Sequence, residues 1–131
     1  MQEPELRIST DKHELDPALI HRFLSQEAYW SQGVPQEVLR RAIEHSLCFG
    51  AFIGDAQVGF ARVITDRATF AYLADVFVVP AQRARGVAKA MLRAVLAHPE
   101  LQGLRRFLLA TRDAHSLYAQ FGFTPPLRPQ T

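Results

Sequence analysis

Cysteine is almost absent from this sequence, and its scarcity excludes several kinds of site. Cys48 is the only cysteine among 131 residues, so no disulfide can form within the chain and a cysteine-based metal site is not expected. Because it stands between Leu47 and Phe49, we expect it to be a small buried hydrophobic residue and not a nucleophile. The histidines show no ligand spacing with one another, so we predict no metal.

Long hydrophobic runs are also missing. The longest apolar segments are interrupted by Asp75 and are too short to span a bilayer. Residues 1–5 contain no apolar signal region, and we therefore expect a cytoplasmic protein with no membrane partner. A length of 131 residues, with 48% hydrophobic and 21% charged residues, is typical of one globular domain spanning 1–131. We expect the proline-rich residues 125–131 to be a loosely held tail.

Apolar periodicity and turn signals predict an α+β order of strand, two helices, three strands, helix, strand, helix and short strand. Asp16 and Pro17 are typical of a helix start. Pro35 begins a second helix, which carries Val38 and Leu39 at helical spacing. Strands are expected at 6–8, 47–53, 58–64, 70–79 and 106–110, with a four-residue turn at 54–57 and a last strand beginning at Phe123. The final helix is expected to be capped by Thr111 or Asp113 and to end at Gly122.

The centre of the chain is a strand, a short basic loop and a helix. Residues 76–79 form an apolar run without a polar face, as expected of a strand covered on both sides, and Pro80 cannot continue a ladder. After Gly86 the apolar residues recur at helical spacing, so the loop leads into a helix N-terminus. The unpaired N–H groups there favour an anion, and Arg83 and Arg85 lie close by in the chain. The pattern fits either a phosphate site or an ordinary strand-to-helix connection.

Two ordered motifs resemble the GNAT N-acetyltransferase superfamily. The segment Arg83-Ala84-Arg85-Gly86-Val87-Ala88 resembles its acyl-CoA pyrophosphate loop, Gln/Arg-x-x-Gly-x-Gly/Ala. Downstream, residues 114–123 are similar to its Ala-x-x-hydrophobic-Tyr-x-x-hydrophobic-Gly-Phe pattern. The resemblance extends from about Leu6 to Thr124. It departs from the family at Ala84, where many members carry Gly, and at Thr111, where many carry Asn.

The resemblance implies the GNAT acyltransferase fold, which is a mixed, mostly antiparallel sheet with helices on both faces and a splayed central strand pair. In that fold the strands carrying Val76 and Leu108 part, and the pantetheine arm of acetyl-CoA lies between them. Acetyl-CoA is the implied co-substrate, without a metal. The implied cofactor-binding residues are Val76, Phe77, Val78, Arg83, Ala84, Arg85, Gly86, Val87, Ala88 and Thr111.

Tyr118 is the candidate general acid, because by resemblance it occupies the position of the tyrosine that acts as general acid in the family. A phenol with a pKa near 10 can protonate a thiolate whose acid has a pKa near 8.5 in a concerted transfer. Helical spacing alone would favour a core aromatic residue between Ala114 and Phe121, and the motif match favours the acid. His115, on a nearby face, is either a proton relay or an exposed or capping residue.

Asp75 is a second candidate catalytic residue. A lone carboxylate within the apolar stretch 72–79 is costly to bury, so it needs either a partner or a task. It either binds the acceptor amine or removes its proton, or else it forms a structural pair with Arg62 or Arg112. The surrounding sequence resembles the Glu-Asp strand of polyamine acetyltransferases, but Ala74 replaces their Glu, which argues against a polyamine acceptor.

The acceptor site is expected near the link between the first two helices. By resemblance, Tyr29 and Trp30 are candidate substrate contacts, although aromatic residues also pack over cores, and Glu27 lies near the edge of the first helix. Together with Asp75 they suggest an aromatic-walled, somewhat acidic pocket that suits a cationic amine. The acceptor itself, a small molecule or a protein amine, cannot be named from these residues.

Three functions are compatible with the sequence. The first is acetyl transfer from acetyl-CoA to a primary amine by direct attack in a ternary complex. The second is a catalytically silent acetyl-CoA sensor, against which the presence of both Gly86 and Tyr118 argues. The third is nucleic-acid binding by the cations that crowd the C-terminal half, which lack interleaved aromatic residues. The net charge is only +2, and those cations also suit the phosphates of coenzyme A. A homodimer is compatible with the sequence.

Overall fold

A computed structural model describes residues 5–111 and 114–124, with the backbone but not the side chain of His115. This part of the chain contains five strands and four α-helices. Short 3-10 helices lie at Lys12–Glu14, Pro80–Gln82 and Pro99–Leu101. In chain order the main elements are β1 (Leu6–Ser9), α1 (Pro17–Gln26), α2 (Gln36–Glu44), β2 (Leu47–Ile53), β3 (Ala56–Thr65), β4 (Phe70–Val78), α3 (Val87–Ala97), β5 (Arg106–Leu109) and α4 (His115–Ala119).

The five strands form one sheet whose spatial order is the order of the chain, β1-β2-β3-β4-β5. Neighbours are antiparallel except β4 and β5, which are parallel. Their pairing runs from Phe70–Arg106 to Leu73–Leu109, and β4 continues to Val78 without β5 beside it. The two strands therefore part beyond Leu73, as the expected mixed sheet with a splayed central pair requires.

One face of the sheet is covered by α3. Leu47, Phe49 and Ala51 alternate along β2 toward this side and share a buried cluster with Met91 and Val95 of the helix. Gly59 lets the helix approach closely, since a Cβ there would lie 3.1 Å from Met91 Cε and 3.2 Å from the Phe77 carbonyl oxygen. The close approach of α3 fixes the position of its N-terminus relative to β4.

The opposite face is covered by α1 and α2. Ile20, Phe23 and Leu24 of α1 pack with Phe60 and Phe77 of the sheet, and the rings of Phe23 and Phe77 stack with centroids 4.1 Å apart. The start of α1 is as predicted, because Asp16 Oδ1 accepts a hydrogen bond from Leu19 N (3.1 Å) and Pro17 is the first helical residue. The expectation of helices on both faces is confirmed.

Several predicted boundaries were wrong. The turn between β2 and β3 has two residues rather than four, because Gly54 adopts a φ of 61° that closes a tight hairpin, and β3 therefore starts at Ala56. Strands β4 and β5 end one residue earlier than predicted, at Val78 and Leu109. Val38 does not face inward: it is 44% exposed, and Leu39 is the residue of α2 that is buried.

Two further predictions were wrong: that residues 76–79 are covered on both sides, and that a last strand begins at Phe123. Only Phe77 in that run is fully buried; Val76 and Val78 are half-buried because each lines a cavity beside β4. Phe123 is not in a strand; its ring packs edge-on against Phe107 at 5.5 Å and against Tyr118 at 6.1 Å. Helix α4 ends at Ala119, earlier than the predicted end at Gly122, although Gly122 does have a φ of 93°. The tail 125–131 lies outside the described residues.

Cys48 is 1% exposed, which confirms the predicted buried thiol. Burial raises its pKa from 9.0 to about 11. We expect Cys48 to react with a disulfide reagent only when the protein unfolds, and the rate can be measured with and without denaturant. The thiol ionises at a lower pH in the unfolded chain than in the folded protein. The contribution of the buried Cys48 to the free energy of unfolding is therefore intact below pH 9 and is lost as the pH rises toward 11. Rapid modification of the native protein, or the same alkaline loss in Cys48→Ala, would contradict this prediction.

Candidate active site

A cavity of about 410 Å³ opens where β4 and β5 part. It is walled by residues from β4, from the connection between α1 and α2, from the end of β5 and from α4. These residues are Tyr29, Trp30, Tyr72, Leu73, Ala74, Asp75, Val76, Ala110, Thr111, Ala114 and Tyr118. Side chains far apart in sequence therefore meet in one site, which we call the splay cavity.

Asp75 lies on an irregularity of β4. The register passes from Phe60–Phe77 to Arg62–Ala74, so β4 carries an extra residue, and Asp75 has a φ of 54°. This left-handed conformation is unusual for a residue other than glycine but is tolerated by aspartate and asparagine. Because of the bulge, Asp75 does not follow the regular alternation of side chains along β4.

Both carboxylate oxygens of Asp75 are engaged. Oδ2 accepts from Arg62 Nε at 2.7 Å, and Oδ1 accepts from Trp30 Nε1 at 2.9 Å. Arg62 also donates through Nη1 to Ser46 Oγ at 3.1 Å. The side chains of Arg62 and Asp75 are 15% and 10% exposed. Of the two partners proposed from the sequence, Arg62 is the one observed, while Arg112 lies outside the described residues; a catalytic role for Asp75 stays a prediction.

A second cavity, of about 340 Å³, lies at the loop before α3 and is called the loop cavity here. Gly86 and Ala84 have φ values of 81° and 63°, and a Cβ on Gly86 would meet no atom within 4 Å. Arg83 bends back so that its Nε donates to the Val78 carbonyl at 3.0 Å. The cavity is lined by Val78, Gln82, Arg83, Ala84, Gly86, Val87, Ala88, Lys89 and Leu117. These described lining residues include two cations and no acid, which suits an anion.

Helix α4 connects the two cavities, since Tyr118 lines the splay cavity and Leu117 lines the loop cavity. Thr111 Oγ1 accepts a hydrogen bond from Ala114 N at 3.0 Å, directly before the helix. Thr111 therefore fixes the approach to α4, although the N-cap position itself is Ala114. Asp113, the other predicted cap, and the side chain of His115 are outside the described part.

A family model described as the acetyltransferase (GNAT) family matches residues 17–123. This chain belongs to that family. Members of the GNAT family use acetyl-CoA as co-substrate and an amine as acceptor. The GNAT fold that the sequence predicted and the family resemblance that it showed are thereby confirmed.

Relatives of this GNAT protein agree with the assignment. A solved structure from Xanthomonas campestris pv. campestris, described as a candidate GNAT acetyltransferase, is 60% identical, with a TM-score of 0.93 over 96% of this chain and 89% of that one. A protein of Gibberella zeae named as a candidate acetyltransferase is 32% identical over 86% of this chain and 75% of its own. A GCN5-related N-acetyltransferase from Ralstonia eutropha JMP134 is 16% identical and shares the fold, with a TM-score of 0.71 over 97% and 96% of the two chains.

The GNAT protein brings most of the predicted cofactor residues to the two cavities. Phe77 is the exception on β4, because its ring is buried against Phe23 of α1 and it lines neither cavity. Arg85 is exposed and is not among the described residues that line either cavity. Of the predicted acceptor residues, Tyr29 and Trp30 line the splay cavity, whereas Glu27 is the exposed C-cap of α1 and does not.

Sequence reasoning missed three residues that line the cavities: Tyr72, Gln82 and Leu117. Arg62 was found as a possible partner of Asp75, because a charged residue inside an apolar strand needs an opposite charge. The three missed residues sit among residues of similar type and carry no distinguishing pattern. Their roles follow only from the packing.

The described residues offer neither a membrane-spanning helix nor a cluster of metal ligands. No described helix is long and apolar enough to cross a membrane. Within residues 5–111 and 114–124, no group of three or more His, Cys, Asp or Glu side chains is arranged to hold a metal ion.

Proposed function

We propose that the protein transfers the acetyl group of acetyl-CoA to the nitrogen of a primary amine by direct attack in a ternary complex. The observation that carries the proposal is the parting of β4 from β5 beyond the Leu73–Leu109 pair, next to a loop cavity without a described acid. The open edge of β4 can bind the extended arm of a thioester such as acetyl-CoA. The N-terminus of α3 beside it can bind the phosphates at the other end of the same molecule.

The loop cavity fits the phosphate end of acetyl-CoA. Gly86 leaves the backbone accessible at the start of α3, and Lys89 and Arg83 supply positive charge. Gln82 Oε1 is buried without a hydrogen-bond partner among the described residues. An amide N–H of the pantetheine arm would satisfy that oxygen.

The open edge of β4 supplies donors for the thioester oxygen. Val79 N donates to Val58 O at 2.9 Å, so the N–H of Val78 points to the opposite edge by strand alternation. A fixed backbone N–H aimed at a developing oxyanion stabilises the transition state. We therefore assign the N–H of Val78 to the thioester carbonyl.

The proposed reaction removes two protons from the nitrogen and adds one to the sulfur. An alkylamine with a pKa near 10.4 must first lose one, at a cost of about 4.6 kcal/mol at pH 7. The neutral nitrogen attacks the thioester carbon, a C–N bond forms and the C–S bond breaks. Tyr118 donates a proton to the departing thiolate, the nitrogen releases its second proton to solvent, and the Tyr118 phenolate regains a proton from solvent.

Calorimetric titration with acetyl-CoA at two salt concentrations tests the co-substrate, and thiol release with a panel of amines tests the transfer. We expect micromolar binding that weakens as the salt concentration rises, because phosphates meet cations in the loop cavity. Binding without thiol release for any amine would favour a silent sensor. Absence of binding would overturn both functions.

Gly86→Ala is expected to weaken acetyl-CoA binding about tenfold or more, because the added Cβ projects into the space that the phosphates need and the left-handed φ becomes strained. Gly103→Ala is the matched control, since Gly103 has a φ of 71° and a Cβ added there would also meet no atom within 4 Å. Calorimetry should separate the two variants while denaturant unfolding gives them similar losses of stability. Equal acetyl-CoA affinity in both would contradict the phosphate site.

A further inference from the structure

We propose that Trp30 selects the acceptor and that Asp75 is a positioning residue which holds it, so that the preferred amine has a flat apolar body and a single charge. The inference rests on the proposed function, because it names the acceptor class of the same site. It differs from the sequence-based expectation of an acidic pocket. The arrangement that carries it is the Trp30–Asp75–Arg62–Ser46 chain of hydrogen bonds.

Trp30 is a large ring held in place at the mouth of the splay cavity. It is 45% exposed, and the Tyr29 ring meets it edge-on with centroids 5.1 Å apart. The segment that carries them is tied to α1 by Ser31 Oγ to Leu24 O (2.7 Å) and Gly33 N to Ser25 O (2.9 Å). The Trp30–Asp75 bond ties the same segment across to β4. An exposed aromatic wall with a fixed orientation is a recognition surface.

The charge in the cavity is already balanced. Asp75 is the only carboxylate among the described residues that line it, and Arg62 neutralises that carboxylate at 2.7 Å. A second ammonium group on the acceptor would lose its water without gaining an anionic partner, which is unfavourable. A planar apolar group would instead contact the rings of Tyr29, Trp30, Tyr72 and Tyr118. The geometry thus favours arylalkyl amines over diamines.

Asp75→Asn isolates the positioning role. Asparagine tolerates the φ of 54° and has nearly the same shape, but its amide has one acceptor oxygen for the two donors on Arg62 and Trp30. If the amide oxygen accepts from Arg62, the amide NH₂ group faces the indole N–H, and two donors cannot form a hydrogen bond. The variant therefore releases the ring of Trp30 without changing the backbone conformation at position 75.

The test uses phenethylamine and putrescine as probes. Trp30 is the only tryptophan of the chain, so its fluorescence reports on this wall alone. We expect phenethylamine to quench or shift the emission and to bind about tenfold tighter than putrescine. Asp75→Asn should shift the emission of the free protein to longer wavelength and raise the KM for phenethylamine about tenfold, with kcat less affected. Asp55→Asn removes an exposed carboxylate in the β2–β3 turn and should change neither quantity.

Trp30→Ala provides a second test if Asp75→Asn does not fold. It should raise the KM for phenethylamine about tenfold while leaving the affinity for acetyl-CoA unchanged. Putrescine binding as tightly as phenethylamine, or unchanged emission and KM in Asp75→Asn, would overturn the inference. Failure of the proposed function looks different: acetyl-CoA does not bind and no amine releases thiol. In that case the fluorescence titration still tests whether phenethylamine binds at Trp30.

Discussion

Tyr118→Phe is expected to lower the turnover of acetyl transfer about a hundredfold or more, because the departing thiolate would lose its proposed proton donor. Phenylalanine keeps the ring that lines the splay cavity and packs against Phe123. The affinity for acetyl-CoA should therefore stay nearly constant. Thiol release at saturating substrate measures the first quantity, and calorimetry measures the second.

Ser116→Ala is the control for this variant. It removes a hydroxyl group from the same helix at an exposed position that does not line the splay cavity. The turnover of Ser116→Ala should match that of the parent protein. If Tyr118→Phe is equally active, Tyr118 has no part in the protonation step and another donor must be sought.

Arg62→Met is expected to destabilise the protein by about 3 kcal/mol, because it leaves the buried carboxylate of Asp75 without its cationic partner. Asp75 Oδ2 would lose the 2.7 Å contact with Nε, and Ser46 Oγ would lose its donor. Urea unfolding monitored by circular dichroism measures the change. The double variant Arg62→Met/Asp75→Asn should recover most of the loss, since the unpaired charge is then removed.

The surface pair of Arg40 and Glu37 is a useful comparison. Its atoms are also 2.7 Å apart, but the two side chains are 63% and 64% exposed. Because water and salt screen such pairs, Arg40→Met should leave the stability nearly unchanged. A similar loss from both arginines, or no recovery in the double variant, would show that burial of the Asp75 charge is not the cause.

The fold could be predicted from local signals. Asp16 and Pro17 define the start of α1, and the glycine before Val87 defines the start of α3, because capping and φ preferences act over a few residues. Boundaries were harder to place where neighbouring residues share the same signal. Gly54 and Asp55 fit a longer turn equally well, since the sequence does not say how many residues a hairpin closes with.

The site was harder to predict, because its key contacts join residues distant in sequence. The Asp75 charge was identified, but its second partner, Trp30, lies 45 positions away on a different element. Sequence shows that a buried carboxylate needs partners and cannot show that an indole N–H is one of them. The charge of Asp75 is balanced by Arg62. Because the sequence left that pairing open, it suggested an acidic pocket.

The sheet order β1-β2-β3-β4-β5 also has a consequence for the order in which the molecule is built during translation. The first four strands lie within residues 6–78 and pair antiparallel with one another, so they can assemble while the rest of the chain is still being synthesised. The loop at Gly86 and the helix with Tyr118 emerge afterwards. The loop at Gly86 and Tyr118 can thus be added to a sheet that already exists, and Asp75 and Arg62 can be paired before the co-substrate has a place to bind.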